Sequence, residues 1–571
     1  MLSVFSSAAD CAATQSKPEN HGTAAGVHKQ EVVILILWLV ACSAAVFWRT
    51  FRLPYAFDDL DHLHALATLR SGQISFISWF FLNHNEHIVP LLRLYFLAAT
   101  RIGGLNALPL HIMVFLTYVA GAVGCAWIFF SLTQSRFGAW LAGTIYASAG
   151  GFAGSTVWQP TIAQFSISGT PLLFAMALLL SPYARKPWSM VAMFGLVLVA
   201  AMGMGASAVA ALAIPIYLYL AKPESIAAGK RKIIIAFSLL LSVLILLAAR
   251  RILTLNGISQ VLTFTWAGVS AGLFLIFVTP GRFLLAWVPA GELGLKVDVA
   301  ASLLGWILLI ISLRWVKKPM RLLLLSLWIA DCLLTMLIGI GRYQDWYLPL
   351  FVTDRYYFFF LLPLALQTAA VVETMTARLL AGVSRFRRIG VACVLSGGLV
   401  ALLAAAHSRL DRCIPWDILK VHQSGLREVN LLAKILARRA AAQNLHLADG
   451  PLFVPGVHKE HIALACVVFT KFPRGLPGIQ WTFSRIPPTN VKSLWIQSGQ
   501  GWYLGSPWNV PAISEADAAV ENQILDEWAR IEKRPPYSCM IGGKMQDIAD
   551  PTVRSCAEAA KASGTAGVKL P

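Results

Sequence analysis

An acidic, histidine-rich segment follows the first apolar stretch of the chain, and its side chains are of the kinds that carry out acid–base chemistry. Asp58, Asp59 and Asp61 stand within a few residues of His62 and His64. A carboxylate can accept the proton of an attacking hydroxyl, and two neighbouring carboxylates raise the pKa of one of them by mutual repulsion. This segment is therefore the first candidate for a catalytic site.

A second polar cluster, which contains His84 and His87, leads into the next apolar segment. Imidazole and carboxylate groups also bind metals, so these two histidines and Asp61 form a candidate site for a divalent metal, the only cofactor that the sequence suggests. His62 and His64 point about 200° apart on a helix, whereas His84 and His87 would face together if their segment were helical. The alternative is that all four are hydrogen-bonded histidines at a membrane interface.

The spacing of apolar residues around the aspartates predicts a helix. Leucines recur at helical intervals from Leu60 to Leu69, and either Asp58 or Asp59 can cap the first turn. A capped helix that lies along the membrane surface is thus a structural alternative to a catalytic segment. One cap accounts for only one of the three acids, so the catalytic interpretation stays open beside it.

The elements that position these residues are predicted from composition. The chain has 571 residues, of which 57% are hydrophobic and 13% charged. A helix needs about 20 apolar residues to cross the roughly 30 Å hydrocarbon core, and many such runs are present. The formal charge of +19 is divided among short clusters between apolar runs. This pattern indicates membrane topology signals and contacts with membrane lipids, and it argues against a nucleic-acid partner.

We predict an all-α membrane domain over 32–407, with a cytoplasmic tail at 1–31 and a first outer loop at 51–106. The first apolar run is too long for a cleavable signal peptide and is read as a signal anchor. The domain should contain about eleven transmembrane helices, with the N-terminus inside and the C-terminus outside. The predicted spans lie near 32–50, 107–131, 138–155, 161–182, 188–221, 233–252, 258–280, 297–316, 320–341, 356–376 and 388–407.

Basic clusters set this topology, because positively charged loops stay in the cytoplasm. The run at 188–221 is long for one helix, and Gly203, Gly205 and Pro215 could divide it. We interpret it as one broken or tilted element, since division would place four later basic clusters outside. The clusters that then share one side are Arg136, Arg185-Lys186, Arg250-Arg251, Arg314–Arg321 and Arg378–Arg388, whereas Lys222 and Lys230–Lys232 fall on the other.

Residues 408–571 differ in composition and predict a soluble domain of α/β type outside the cytoplasm. It contains four cysteines, Cys413, Cys466, Cys539 and Cys556. An oxidising compartment would permit disulfides among them, and about three pairings remain open.

Several motifs between 32 and 150 resemble the C-type glycosyltransferase superfamily, in particular its protein mannosyltransferase and lipid A aminoarabinose transferase branch. An outer loop opens with Asp58-Asp59, where that branch has Asp-Glu, and continues to Glu86–Leu91, where it has a Lys-Pro-Pro-Leu-like element. Ile102–Gly104 and Arg136–Ala142 match further short motifs. The second acid is Asp rather than Glu, and the lysine and first proline of the element are absent.

The resemblance implies an enzyme that moves a sugar, with inversion, from a polyprenyl-phosphate donor to a glycan, lipid or protein acceptor outside a bacterial cytoplasmic membrane. By its match to the first acid of the family, Asp58 would be the base, and Asp59 would orient it or the acceptor. Arginine suits the departing phosphate because its planar group binds phosphate oxygens in pairs. The candidate substrate and phosphate ligands are Arg355 first, then Glu86, His87, Arg93 and Arg342.

Other interpretations fit parts of the sequence. Arg355 could be an interfacial arginine that reaches toward the membrane surface. A transporter or flippase for a lipid-linked or anionic substrate would use charges within the spans, and Asp331 lies inside one of them. Such a carboxyl is costly in a membrane, so Asp331 should face protein or a cavity. A non-catalytic scaffold whose C-terminal domain binds a partner is the third possibility.

Overall fold

A computed structural model gives the fold of the chain. The residues that it describes are 29–55, 58–70, 74–84, 87–104, 106–153, 159–204, 207–223, 226–255, 265–285, 293–342, 359–380, 385–413 and short strands between 452 and 569.

The described residues are mostly helical. The helices of the first half are α1 (Lys29–Phe47), α2 (Asp58–Arg70), α3 (Phe76–Phe80), α4 (Pro90–Gly103), α5 (Leu108–Thr133), α6 (Arg136–Ala153), α7 (Gln159–Leu180) and α8 (Pro187–Gly203). The helices of the second half are α9 (Ser207–Ala210), α10 (Ala213–Ala221), α11 (Ala228–Leu255), α12 (Trp266–Leu284), α13 (Leu295–Ser312), α14 (Lys318–Arg342), α15 (Leu361–Leu380) and α16 (Arg385–Cys413). Short 3-10 turns stand at Thr50–Arg52, Pro182–Arg185 and Leu313–Trp315.

The strands are short. They are β1 (Asn83–His84), β2 (His87–Ile88), β3 (Leu452–Phe453), β4 (Trp481–Thr482), β5 (Ser493–Ser498), β6 (Gly501–Gly505), β7 (Ser538–Ile541), β8 (Lys544–Asp547) and β9 (Val568–Lys569). β1 pairs with β2, β7 pairs with β8, and the other five form a sheet in the order β4-β3-β5-β6-β9. Most of 408–571 lies outside the described residues, so the α/β character and disulfides of this predicted domain stay predictions.

The chain divides into two compact units. The first comprises 1–53, 80–99 and 107–415, and the second comprises 54–79, 100–106 and 416–571.

Six of the described helices are long and apolar enough to cross a membrane. They identify an integral membrane protein, as the composition predicts. Their bounds are Gln30–Phe47, Leu108–Thr133, Ala228–Ile252, Trp266–Leu284, Leu295–Trp315 and Lys318–Gly341. Four shorter apolar helices accompany them within the described part of the chain, and the predicted total of about eleven spans stays a prediction.

Side-chain contacts bring basic loops together at one end of the helical bundle of the first unit. Arg136, at the start of α6, forms an ion pair of 2.8 Å with Glu31 at the start of α1. The Thr374 hydroxyl, near the end of α15, donates to the carbonyl oxygen of Trp315, just before α14. A Cβ atom on Gly138, in the first turn of α6, would lie 2.7 Å from a carboxylate oxygen of Glu373. We call this end of the bundle the basic end.

The loop that contains Arg185 also lies at the basic end. α5 ends just before Arg136, and α7 runs beside it in the same direction. Thr170, in the middle of α7, donates to the Thr117 carbonyl oxygen of α5, and the rings of Trp127 and Phe174 meet further along both helices. The end of α7, and the turn Pro182–Arg185 that follows it, are therefore level with the end of α5.

The chain turns back within 188–221, so our interpretation of this stretch as one element is wrong. α8 leaves the basic end and stops at Gly203, where Met204 is extended. Yet Lys230, in the first turn of α11, donates hydrogen bonds to the carbonyl oxygens of Ala184, at 2.6 Å, and Lys186, at 3.3 Å. At about 1.5 Å per residue, α8 and the helical residues after it could not continue straight and still return to Ala184.

α11 then runs beside α8 in the same direction. The rings of Phe194 and Phe237 lie 4.4 Å apart between centroids, and Ser242 donates to the Ala208 carbonyl oxygen further along. Lys222 and Lys230–Lys232 consequently lie at the basic end, which removes the exception in the predicted topology. Arg250-Arg251, near the end of α11, becomes the cluster at the opposite end.

The later basic clusters nevertheless stay at the basic end, because α12 does not carry the chain across the bundle. Near its start, Gly268 packs on Ile340 in the last turn of α14, and near its end Arg282 pairs with Asp298 in the first turn of α13. α13 and α14 both meet the basic end, on either side of the turn Leu313–Trp315, so the start of α13 and the end of α14, which α12 contacts, lie at the opposite end. Pro280 lies inside α12, near its end, where it removes one backbone hydrogen bond.

This topology predicts the side from which an engineered cysteine reacts. Gly229 is exposed, and a Cβ atom there meets no neighbour within 4 Å, so Gly229→Cys should fold normally. In a background without native cysteines, a membrane-impermeant maleimide should label Gly229→Cys and Gln134→Cys from one side and Leu293→Cys from the other. Labelling of Gly229→Cys together with Leu293→Cys would contradict the reversal within 188–221.

The Arg282–Asp298 ion pair allows a stability test, because both side chains are almost fully buried, at 3% and 2% exposure. Asp298→Asn leaves a buried guanidinium without its counter-charge, so we expect a loss of about 3–5 kcal/mol. The double variant Arg282→Leu/Asp298→Leu should recover most of it. The half-exposed pair Arg136–Glu31 is the control, and Arg136→Gln should cost no more than about 1 kcal/mol. Thermal unfolding in detergent measures each change in stability. Equal losses of stability for the two pairs would contradict the larger contribution expected of the buried pair.

Candidate functional site

The helix predicted from the leucine spacing is present as α2, which starts at Asp58. Asp59, His62, Leu63 and Leu66 are buried and recur at helical intervals on one face. Two leucines on a packed face agree with the apolar pattern. An aspartate and a histidine on the same face are unusual, because such residues are mostly exposed in proteins.

Tyr55 adds a third polar group to this cluster. Its side chain is fully buried, and burial first, then the nearby charge of Asp59, raises the pKa of the phenol. The phenol therefore stays neutral at physiological pH and can serve as a hydrogen-bond donor beside a buried carboxylate. Sequence reasoning missed Tyr55, although a tyrosine just before an acidic run is a visible signal.

The buried Asp59 and His62 stand one turn apart on α2, whereas Asp61 is half-buried. Carboxylate, imidazole and phenol in one poorly solvated cluster can accept, donate and orient protons, which is the chemistry expected of a catalytic site. The last turn of α2 is anchored, since Arg70 donates a 3.0 Å hydrogen bond to the Thr100 hydroxyl.

The histidines of the second polar cluster pair through a hairpin and not through a helix. β1 and β2 are antiparallel, with His84 opposite His87 and Asn83 opposite Ile88. The side chains of these two histidines lie outside the described residues. Among the residues that are described, no group of three or more histidine, cysteine or acidic side chains could hold a metal ion. The divalent metal site of Asp61, His84 and His87 stays a prediction.

Arg93 has a structural contact in the described part of the chain. It is buried, and its Nε and Nη2 atoms both donate to the carbonyl oxygen of Leu82, at 3.1 and 2.9 Å. Burial lowers the pKa of the guanidinium to about 10, so it stays charged at neutral pH. Arg93 thereby holds the residue that precedes β1, and its role as a phosphate ligand stays a prediction.

The other predicted ligands are not tested by the geometry. Arg342 is the last residue of α14, and its side chain, like that of Asp58, lies outside the described residues. The same holds for the whole of Glu86 and Arg355. The described cluster is thus Tyr55, Asp59 and His62, and its convergence with the predicted phosphate ligands is a matter for experiment.

A separate small cleft, with a volume of about 50 Å³, lies within the helical bundle of the first unit. Its walls are mostly apolar, with Met176, Ile214 and Phe359 among them, and Asp331 also lines it. Asp331 is 5% exposed, and its Oδ2 atom has no hydrogen-bond partner among the described residues. The expectation that this carboxyl faces a cavity is confirmed.

Comparison with known proteins gives little. No family model matches the chain, and no curated protein matches it. Among solved structures, it is similar to the archaeal oligosaccharyltransferase AglB from Archaeoglobus fulgidus in complex with an inhibitory peptide and a dolichol-phosphate. The match has a TM-score of 0.40 and 11% identity, and it covers 76% of this chain and 63% of that chain. We base no conclusion on a likeness at this level.

Replacement of Asp331 should raise stability. A buried polar group that lacks a partner in the described structure costs about 1–3 kcal/mol of stability. Asp331→Leu removes such a group, so we expect the free energy of unfolding to rise by a similar amount. Ser326, on the same helix, is buried but donates to the Leu322 carbonyl oxygen, so Ser326→Ala should not be stabilising. Thermal unfolding in detergent compares the two. A lower melting temperature for Asp331→Leu would show that the carboxyl makes a stabilising contact.

Proposed function

We propose that the protein is a membrane glycosyltransferase that moves a sugar from a polyprenyl-phosphate-linked donor to an acceptor hydroxyl at the outer face of the membrane. The observation that carries the proposal is the buried cluster of Tyr55, Asp59 and His62, at the start of a helix that opens with Asp58. Buried titratable groups that influence one another are typical of catalytic sites. The motif resemblance to the C-type glycosyltransferases falls on the same acids.

The charge distribution supports an outward-facing site. α1 begins at the basic end, beside Arg136, and the chain has reached the opposite end by Leu53, whose carbonyl oxygen accepts a 2.8 Å hydrogen bond from His111 near the start of α5. Positively charged loops face the cytoplasm. The acids that follow Leu53 are therefore proposed to emerge outside, and a bacterial cytoplasmic membrane is the proposed location.

The proposed reaction is one displacement with inversion. Asp58 takes the proton of the acceptor hydroxyl, the acceptor oxygen bonds to the anomeric carbon, and the bond from that carbon to the phosphate oxygen breaks. The electron pair leaves with the lipid phosphate, which a cationic side chain stabilises. Arg355 is the proposed cation, while Glu86, His87 and Arg342 are proposed to contact the substrate.

The buried groups have supporting parts in this scheme. Asp59 orients the base or the acceptor, and its negative charge disfavours ionisation of nearby acids. The neutral Tyr55 phenol is a donor that can hold a carboxylate in place. A glycan, a lipid or a protein could supply the acceptor hydroxyl, because that choice depends on the shape of the pocket rather than on the acids.

The proposal is tested by removal of the base. With a polyprenyl-phosphate-linked sugar donor in proteoliposomes, Asp58→Asn should lower the rate of transfer by about 10²–10⁴-fold, the usual contribution of a general base. Glu31→Gln is the control, because it removes a partly exposed acid that belongs to none of the candidate sites. It should keep most activity. Thermal unfolding must show both variants folded, and full activity of folded Asp58→Asn would reject this role.

A transporter of a lipid-linked substrate is the second candidate, favoured by the cleft that Asp331 lines and by the helix break at Met204. Irregular backbone at membrane depth is found where it lines a cavity. Asp331→Asn separates the two functions. It should abolish lipid translocation by a transporter, whereas a transferase with its base at Asp58 should keep its rate.

A further inference from the structure

Four side chains meet at the end of the first unit's bundle opposite the basic end, and we call them the Trp48 cluster: Trp48, Arg49, Arg52 and His407. The guanidinium carbons of Arg49 and Arg52 lie 5.2 and 5.1 Å from the centroid of the Trp48 ring. The His407 ring stacks on the same indole, 6.0 Å away and 17° from parallel. The cluster joins the end of α1 to α16.

The cluster concentrates positive charge in a fixed geometry. Two guanidinium groups on one indole repel each other, although the ring face attracts each of them. An anion placed between them removes the repulsion, and the shared ring restricts their motion before binding, which lowers the entropic cost of binding. Arginine also binds phosphate oxygens in pairs. The geometry thus favours a phosphate group over a monovalent halide.

His407 is held in place beside the indole of Trp48. Its Nδ1 atom lies 3.3 Å from the Val46 carbonyl oxygen, and because a carbonyl only accepts, Nδ1 carries the hydrogen. Nε2 is the ring nitrogen that this hydrogen bond leaves unused. The bond to Val46 also fixes the imidazole against Trp48.

The surroundings favour a lipid over a soluble phosphate. Trp48 is 41% exposed, and tryptophan is enriched at the level of lipid headgroups. Phe51, between the two arginines, packs on Phe115 at 5.3 Å between centroids. On the same helix Ile112 and Leu116 are exposed, which leaves an apolar surface for acyl chains beside the charged cluster.

We propose that the Trp48 cluster binds the phosphate group of an anionic phospholipid in the leaflet opposite the basic end. The site is independent of the proposed transfer reaction, since none of its residues belongs to the catalytic cluster. Lipid bound here would join α1 to α16 and so stabilise the folded bundle.

The test compares two arginine pairs in the full-length protein. Arg49→Gln/Arg52→Gln removes two charges from the cluster, and Arg250→Gln/Arg251→Gln removes two from α11 at the same end of the bundle. In neutral detergent, phosphatidylglycerol binding is measured by native mass spectrometry and by the rise in melting temperature. We expect the affinity for phosphatidylglycerol to fall at least about tenfold in Arg49→Gln/Arg52→Gln and to change little in Arg250→Gln/Arg251→Gln.

Further variants and ligands identify what binds and test the role of the Trp48 ring. Trp48→Phe should keep binding and Trp48→Leu should weaken it, with Arg52→Gln as the fallback if Trp48→Leu does not fold. Diacylglycerol, which lacks phosphate, should not raise the melting temperature. Equal losses in the two arginine pairs would overturn the proposal, because they would show a general charge effect. Equal protection by inorganic phosphate would overturn the lipid assignment.

Discussion

The collection of positive side chains at one end of the helical bundle is the constraint on which the rest of the structure depends. It is achieved by two segments: the reversal after Gly203, and α12, whose contacts near both of its ends lie at the opposite end of the bundle. Either segment alone would place the later basic loops at the opposite end of the bundle. The two segments together leave these loops at the basic end. Within the first unit, α1 begins at the basic end, and Leu53 lies at the opposite end beside His111.

Buried charged groups have three different kinds of surroundings along the chain. Arg282 and Asp298 neutralise each other at 2.8 Å, so burial is offset by the ion pair. Asp331 lines an apolar cleft with one oxygen that lacks a described partner, an arrangement that costs stability. Asp59 is buried beside the neutral phenol of Tyr55. A buried carboxylate with a neutral donor nearby suits proton transfer better than either of the other two arrangements, which is why α2 is the preferred site.

Local patterns predicted local structure well. The recurrence of leucines after the aspartates predicted α2, and the apolar runs predicted helices that are present at Leu108–Thr133 and Lys318–Arg342. The reversal within 188–221 was missed. Because α12 does not cross the bundle, the later basic loops lie at the same end as they would without the reversal, and their charges do not reveal it. Only tertiary contacts such as Lys230 with Ala184 reveal it. The pairing of His84 with His87 was anticipated, but in a helix rather than a hairpin, since a run of polar residues has no clear period. Tyr55 was missed although its place just before the acidic run is visible, because the sequence does not show that its side chain is buried.

The most direct measurement for the central claim is an experimental structure of the protein with a lipid phosphate bound. The account predicts that the carboxylates of Asp58, Asp59 and Glu86 and the guanidinium of Arg355 line one chamber around the phosphate. Each should then lie within hydrogen-bond reach of a shared substrate, and mutual distances should stay below about 15 Å. Larger separations, or Asp58 and Asp59 facing bulk water on the cytoplasmic side, would contradict it.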